Sequence, residues 1–178
     1  HVEINGEKFD HVILACHSDE SLKCVSDLTQ TEKDVLECFP YSDNTAYLHQ
    51  DESWMPKTTK AWTSWNYMGD VDGGVCVTYW MNRLQPFLPS DTPLFVTLNP
   101  PKKPEKILKE ISYSHPQYTQ KALDGWHRIK DIQGINNTWF CGAWCGYGFH
   151  EDGISSGLAV AEAIGGQNRP WRVKDVSP

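Results

Sequence analysis

Hydrophobic residues form short continuous runs at two places in the chain. Residues 12–15 (Val-Ile-Leu-Ala) and 138–141 (Thr-Trp-Phe-Cys) show the pattern of strands covered on both faces. Between these runs, four segments are rich in β-branched and aromatic residues and are separated by turn formers, including those at 69–74. The four segments cover residues 45–49, 61–67, 75–80 and 94–98. They predict a mainly antiparallel sheet, to which residues 107–113 could add an edge strand.

Helical spacing and capping residues predict four helices around these strands. The first follows the capping residues that begin at Ser18, and the second begins near Thr31. The third covers residues 119–132, where apolar residues recur three or four positions apart. The last opens at Gly153 and is closed by a pair of glycines. With a polar hairpin in the first ten residues, these elements predict an α+β (or α/β) fold, a sheet flanked by helices.

Composition and charge narrow the class of protein. The 178 residues are 39% hydrophobic and 22% charged, near the averages of soluble globular proteins, so one compact domain is expected. A net charge of −7 and scattered basic residues argue against nucleic acid or an anionic membrane as partner. No run approaches the roughly 18 to 20 apolar residues of a membrane span, and no targeting pattern opens the chain. We therefore expect a soluble protein.

The cysteines predict neither a disulfide scaffold nor a metal site. Most of the six lie within apolar segments, and their density is below that of small disulfide-rich domains. We interpret them as reduced thiols, which favours a cytoplasmic location. Cys141 and Cys145 are close in sequence, but a single C-x3-C without a second ligand pair is weak evidence for zinc.

Glycine is concentrated between the second apolar run and the last helix. Residues 139–166 have the pattern of a strand, a glycine-rich loop and a helix of small residues. A helix N-terminus offers backbone N–H groups and partial positive charge, which suit a phosphate or the pyrimidine edge of a reduced flavin. Gly153 and Gly157, on one helical face, would let a ligand or a neighbouring backbone approach closely. The alternative is an ordinary strand–loop–helix whose small residues permit close packing.

This segment resembles the C-terminal flavin motif of the amine-oxidase superfamily. It reads Trp-Phe-Cys-Gly-Ala-Trp-Cys-Gly-Tyr-Gly-Phe-His-Glu-Asp-Gly-Ile-Ser-Ser-Gly and continues to Gly166. Other segments are similar to one subgroup, the predicted NAD/FAD-binding proteins related to amine oxidases, so that the resemblance covers nearly the whole chain. They are residues 9–17, 61–67, 77–85 and 95–101. In plants a similar segment occurs fused ahead of a cyclopropane-fatty-acid synthase, which makes a lipid-modifying context plausible.

The resemblance implies a division of labour along the chain. Residues 9–17 and 139–166 would complete an FAD-binding domain, and residues 18–138 would form the substrate-side sheet domain. The chain has no strand followed by G-x-G-x-x-G, the motif that holds the FAD pyrophosphate in this family. We expect that motif N-terminal to His1 or in a companion chain, and we expect the present chain alone to bind FAD weakly or not at all.

The resemblance also implies a set of cofactor-binding residues. They are Gly142, Ala143, Trp144, His150, Glu151, Asp152, Gly153, Ile154 and Gly157. For Asp152 the alternative is an ordinary N-cap of the last helix. Trp144 stands where the family more often has an acidic residue, which puts classical amine oxidation in doubt. No catalytic side chain is assigned, because in flavin enzymes the cofactor carries the redox chemistry.

Aromatic and polar residues supply candidates for substrate contact. They are Trp65, Tyr79, Trp80, Asn82 and Tyr147, with Trp62 and Trp126 as further cavity candidates and Arg83 as a carboxylate ligand. Aromatic residues at strand spacing are more often core, so both interpretations stay open. The function predicted is FAD-dependent oxidation of an apolar, lipid-like or amine substrate by hydride transfer to the flavin. The alternative is a non-catalytic interaction or regulatory module derived from a flavin oxidase.

Overall fold

The computed structural model describes residues 1–71 and 74–171, and it has a mixed α+β architecture. The strands of the described part are β1 (Val2–Ile4), β2 (Glu7–Phe9), β3 (Val12–Leu14), β4 (Tyr41–His49), β5 (Trp65–Val71), β6 (Gly74–Trp80), β7 (Phe95–Leu98), β8 (Ile107–Pro116) and β9 (Thr138–Phe140). Its α-helices are α1 (Ser18–Cys24), α2 (Gln30–Leu36), α3 (Met81–Leu84), α4 (Gln120–Trp126) and α5 (His150–Ala163). Short 3-10 helices lie at Glu52–Trp54, Thr59–Ala61, Ile129–Ile132, Ile135–Asn137 and Ala143–Cys145. The predicted fold class is confirmed.

The chain divides into two compact units. The first combines His1–Tyr41 with Pro116–Pro178, and the second is the continuous segment Ser42–His115. The chain leaves the first unit after Tyr41 and re-enters it at Pro116. These two points lie close together, because the backbone N–H of Gln117 donates to the carbonyl of Pro40 at 2.8 Å. The sequence placed residues 18–138 in the sheet domain. In the structure, residues 18–41 and 116–138 belong to the first unit instead, because their helices share its core.

The first unit is built on a pair of parallel strands. β3 lies beside β9, with Val12 opposite Thr138 and Leu14 opposite Phe140. Helices α2 and α4 and the 3-10 helix at Ile129–Ile132 pack against this pair, and Phe39 and Trp144 from the connecting segments complete the core. Its most buried apolar side chains, fully removed from solvent, are Val35, Leu36, Ile132 and Phe140.

Helix α2 begins at Gln30, one residue before its predicted start, because of the cap at its N-terminus. Thr29 is the N-cap, and its hydroxyl accepts the backbone N–H of Glu32 at 3.3 Å. The Glu32 carboxylate accepts the backbone N–H of Thr29 at 2.8 Å and its hydroxyl at 2.7 Å. This reciprocal capping satisfies backbone groups that the first turn would otherwise leave unpaired. It also explains how a carboxylate can be buried at the edge of the core.

The second unit is a five-stranded sheet in the order β5-β6-β7-β4-β8. The pairs β5–β6, β6–β7 and β4–β7 are antiparallel, as the sequence predicted. Successive residues of a strand point to opposite faces, so the register defines which side chains share a face. On one face, Trp65, Tyr79, Val96 and Leu48 form a row across four strands, and a second apolar row is formed by Tyr67, Val77, Leu98 and Ala46.

The opposite face of this sheet contains a buried row of polar side chains. His49, Thr97 and Thr78 are fully buried. The His49 Nε2 lies 2.7 Å from the Thr97 hydroxyl, which lies 2.8 Å from the Thr78 hydroxyl. The His49 Nδ1 accepts the backbone N–H of Asp51 at 3.1 Å, so the network assigns the single ring proton to Nε2. A neutral imidazole satisfies these contacts.

We expect this histidine to make the stability of the protein depend on pH. Burial lowers the pKa of His49, and the nearby Asp51 opposes this only in part. Below about pH 6.5 the unfolded imidazole takes up a proton that the folded one still refuses, so stability falls as the pH drops. Urea unfolding at about pH 7.5 and pH 5.5 should show this loss, and the variant His49→Gln should show a smaller one. Equal pH dependence in both proteins would contradict the prediction.

Several element boundaries differ from the predicted ones. The helix predicted over 119–132 is α4 followed by the 3-10 helix Ile129–Ile132. The strand predicted to begin at residue 61 begins at Trp65, because residues 59–61 form a 3-10 turn and the Asn66 side chain bonds the backbone of Thr63. The last helix begins at His150 rather than Gly153. The turn predicted at 69–74 contains residues 72 and 73, which lie outside the described residues.

Candidate functional site

The candidate site is the turn that joins β9 to α5. Gly142 follows the strand with a φ of 143°, in the region that L side chains rarely adopt. A Cβ atom at this position would lie 2.9 Å from the ring of Trp144. The Gly142 N–H donates to the Ser156 hydroxyl at 3.0 Å, which fastens the turn to the second turn of the helix. The turn therefore requires glycine for both its conformation and its contacts.

Trp144 anchors this turn inside the core of the first unit. Its side chain is only 2% exposed and packs edge-to-face on Phe39, with ring centroids 4.8 Å apart. Its indole N–H donates to the carbonyl of Cys16, just after β3, at 2.9 Å. Its own carbonyl accepts the indole N–H of Trp126 at 2.9 Å. The sequence placed Trp144 at the cofactor, but the structure gives its indole ring a structural role.

Asp152 fixes the first turn of α5, although it is not the N-cap. Phe149 is the N-cap, and its backbone N–H donates to the Asp152 carboxylate at 2.8 Å. The helix thus starts three residues earlier than predicted, with His150, Glu151 and Asp152 in its first turn. Asp152 also approaches the loop closely, since a Cβ atom on Gly146 would lie 2.4 Å from its carboxylate oxygen.

Tyr118 holds the other side of the same loop. Gly148 has a φ of 85°, and a Cβ atom there would lie 2.1 Å from the Tyr118 hydroxyl. Burial, followed by the charge of Asp152, raises the pKa of Tyr118. The phenol is therefore a neutral hydrogen-bonding group at this edge of the loop. Sequence reasoning missed Tyr118, because it lies far from the motif along the chain.

One side of α5 is uncovered. Val160 is the one buried residue of this 14-residue helix, whereas Ile154 is 58% exposed. A Cβ atom on Gly157 would meet nothing within 4 Å, and one on Gly153 would meet only the backbone nitrogen of Ala143 at 3.7 Å. Ile154, Gly157 and Ala161 follow one another at helical spacing along this side. Packing within the described chain does not explain why Gly157 is a glycine.

Aromatic side chains border the start of α5. Tyr147 is exposed, and the centroid of its ring lies 4.9 Å from that of Trp126 and 6.4 Å from that of Tyr118. Trp126 is only 8% exposed and belongs to the core of the first unit. Of the predicted substrate residues, Tyr147 is the one that the structure brings next to the candidate cofactor helix.

Burial keeps the two cysteines of the turn in the neutral thiol form. Burial, and then the neighbouring Cys141, raises the pKa of Cys145 to about 12. Burial also raises the pKa of Cys141. Both groups are protonated thiols at neutral pH, so neither has the thiolate character of a nucleophile. Among the described residues, no group of three or more His, Cys, Asp or Glu side chains could hold a metal ion.

The remaining predicted substrate residues lie in the second unit, three on the two faces of its sheet and one in α3. Trp65 and Tyr79 share the apolar face with ring centroids 5.4 Å apart, and Trp65 is 66% exposed. Trp80 lies on the opposite face and packs against Trp62. Asn82 is fully engaged with the following loop: its amide donates to the carbonyls of Pro89 and Thr92, and its oxygen accepts the N–H of Leu94. Asn82 thus has a structural role.

The other members of the apolar face show a pattern in the sequence, but the pattern alone does not place them in one surface. Tyr67, Val77, Val96 and Leu98 alternate with polar or buried residues along three strands, which is the pattern of side chains on one face. Their position in one surface depends on the strand register, which a single sequence does not define.

No protein-family model matches the chain, and no curated protein matches it either. In the described ranges, none of the helices has the length and apolar character needed to cross a bilayer.

Proposed function

We propose that this chain is part of an FAD-dependent oxidoreductase, in which the Gly142 turn and the uncovered side of α5 contact the flavin. The observation that carries the proposal is Gly157, whose Cα surface lies open on a helix that starts directly after a strand and a glycine turn. Close approach by a flat ligand would explain a glycine there. The substrate would be an apolar, lipid-like or amine molecule, and bound FAD would accept a hydride from it.

The charges in the first turn of α5 distinguish between the two ligands that suit a helix N-terminus. Glu151 and Asp152 both lie in that turn. Two carboxylates would repel a phosphate group, whereas an uncharged ring carbonyl can still accept a backbone N–H. The site therefore suits the pyrimidine edge of the flavin better than its phosphates. In this arrangement Gly142, Ala143, Gly153 and Gly157 contribute backbone surface, while His150 and Ile154 border the ligand.

The phosphates would be held by a further segment. Parallel sheets normally have more strands and both faces covered, but among the described residues β3 pairs with β9 alone, and Ile13 is 48% exposed. A segment that carries a glycine-rich phosphate loop, in the same polypeptide or in a companion chain, would extend this pair and cover it. Such a segment would supply the phosphate-binding motif that this sequence lacks.

The apolar face of the sheet in the second unit supports the proposed substrate class. Two apolar rows, with Trp65 and Tyr67 strongly exposed, offer an extended surface without charged side chains at the paired positions. Burial of such a surface against an acyl or other hydrocarbon chain is favourable in proportion to the apolar area removed from water.

All six cysteines are free in the structure, which supports a reducing, cytoplasmic location.

Visible absorbance spectra of two proteins test the proposal. One is this chain alone, and the other is the longest natural polypeptide that contains it, both purified with added FAD and freed of unbound cofactor. We expect flavin bands in the longer protein and weak or absent bands in the chain alone. Circular dichroism of both proteins is the control for correct folding. If the folded longer protein retains no FAD, the flavin proposal fails and an interaction module becomes the better explanation.

A further inference from the structure

A cavity of about 540 Å³ lies in the second unit beside the end of β6. Its walls include the indole rings of Trp62 and Trp80 and the side chain of Leu88. Its lining also includes three charged residues, Glu52, Asp91 and Arg83. The volume lies in the range of sites for small organic ligands, roughly 300–1,000 Å³. Four of its lining residues, Trp62, Trp80, Asn82 and Arg83, were candidates for substrate contact in the sequence, but the proposed flavin contact and the apolar face of the sheet do not include this cavity.

The two indole rings form a rigid corner. Their centroids lie 5.3 Å apart and their planes are almost perpendicular, at 87°. Trp62 is held in place by its indole N–H, which donates to the carbonyl of Pro56 at 2.8 Å, and by an edge contact with Phe95. Perpendicular aromatic walls attract a cation through the negative potential of the ring faces. Because the corner is held by other contacts, little side-chain freedom is lost on binding.

The charges at the cavity are unpaired in the described part of the chain. None of its ion pairs involves Glu52, Asp91 or Arg83. Two carboxylates favour a cation, while the guanidinium of Arg83 favours an anionic group. Arg83 is an exposed lining residue, and it directly follows Asn82, whose side chain is bonded to the loop after α3.

We propose that this cavity binds a small zwitterion with a methylated ammonium group and a phosphate group, as in phosphocholine. The methylated ammonium would occupy the indole corner, because its methyl groups pack on Trp62, Trp80 and Leu88 while its charge faces the rings. A primary ammonium could donate hydrogen bonds to Glu52 and Asp91, but it lacks the methyl groups that pack on the two indole rings. Glu52 and Asp91 would stabilise the cation, and Arg83 would bind the phosphate.

Calorimetric titration of the full chain with three probes tests this site. Phosphocholine should bind with saturation, tetramethylammonium more weakly, and inorganic phosphate weakest. The variants Trp80→Leu and Glu52→Gln/Asp91→Asn should each weaken binding of phosphocholine and of tetramethylammonium by about tenfold or more. Arg83→Gln should weaken phosphocholine by a similar factor and leave tetramethylammonium unchanged. The control Asp43→Asn/Glu105→Gln removes two exposed carboxylates of the same unit and should change neither affinity.

Two results would overturn the proposal: no saturation with phosphocholine or tetramethylammonium, or unchanged affinity in the Glu52→Gln/Asp91→Asn variant. That variant changes only rim residues, so a folding defect would not obscure the answer. Sedimentation with phosphatidylcholine vesicles identifies the source of the ligand. Binding to vesicles as well as to phosphocholine supports a lipid headgroup, and binding to phosphocholine alone supports a soluble ligand. None of these measurements involves flavin, so the site can be tested whether or not FAD binds.

Discussion

Replacing Gly157 by leucine is expected to abolish FAD retention by the flavin-containing polypeptide without unfolding it. A side chain at this position meets nothing within 4 Å in the described chain, so the fold has room for it. Leucine also favours a helix more than glycine does, by about 1 kcal/mol, so thermal stability should be unchanged or slightly higher. The added side chain would occupy the space into which the flavin is proposed to fit. The measurement is the ratio of flavin to protein after gel filtration, together with thermal unfolding.

The matched control is Ala159→Leu. Ala159 is another small exposed residue of α5, and it lies about 200° around the helix from Gly157. This variant should retain FAD at the level of the unmodified protein. Stoichiometric flavin in Gly157→Leu, or equal loss in both variants, would show that the open side of α5 is not the contact surface.

Replacing Trp144 by alanine is expected to destabilise the protein by about 3–5 kcal/mol, the usual cost of truncating a buried aromatic side chain. The substitution removes the contact with Phe39 and leaves the carbonyl of Cys16 without its indole donor. Because Trp144 connects the end of β3 to the turn before α5, this turn should also lose order. The free energy of unfolding by urea measures the effect.

Two further variants separate packing from hydrogen bonding. Trp144→Phe keeps an aromatic ring but removes the N–H donor, and should cost about 1–3 kcal/mol, less than the alanine variant. Trp171→Ala truncates an indole that is 58% exposed, and should change stability by less than about 0.5 kcal/mol. A cost below about 1 kcal/mol for Trp144→Ala would contradict the role assigned to this residue.

The fold class was predictable because local patterns agree with tertiary contacts in most of the chain. The apolar runs at 12–15 and 138–141 correspond to β3 and β9, which form a parallel pair, but the pair is not covered on both faces as predicted, since Ile13 is 48% exposed. The helix predicted over 119–132 was too long for a physical reason: Trp126, Ile129 and Ile132 are spaced by three, and the repeat of a 3-10 helix is also three. Spacing alone does not separate these two helices.

The start of α5 could not be predicted because its capping signal is unusual. The sequence favoured Gly153 as the opening residue, but Asp152 caps the helix from its third position and Phe149 occupies the N-cap. Aromatic residues are not among the preferred N-caps. The capping contact runs from the Phe149 backbone N–H to the Asp152 carboxylate, and a single sequence does not reveal that arrangement.

Residue roles at the candidate site were predictable for the backbone but not for the side chains. Gly142 and Gly157 have the features that glycine predicts, a left-handed conformation and an open surface. The motif could not reveal that the Trp144 ring points into the core, or that Asn82 binds its own loop. Both facts depend on residues distant in sequence, Cys16 for the first and the 89–94 segment for the second.

The contact between Pro40 and Gln117 has a consequence for how the chain reaches its native state. The sheet unit is a continuous insertion, and the partner of β3 is synthesised only after that whole insertion. Until then β3 has an open edge and apolar residues exposed to water. The folded insertion brings its own ends together, since the Asn44 amide lies 2.9 Å from the His115 ring, and this would shorten the loop to be closed and reduce the entropic cost of pairing β3 with β9. We therefore expect folding of the insertion to precede, and to accelerate, formation of the core of the first unit.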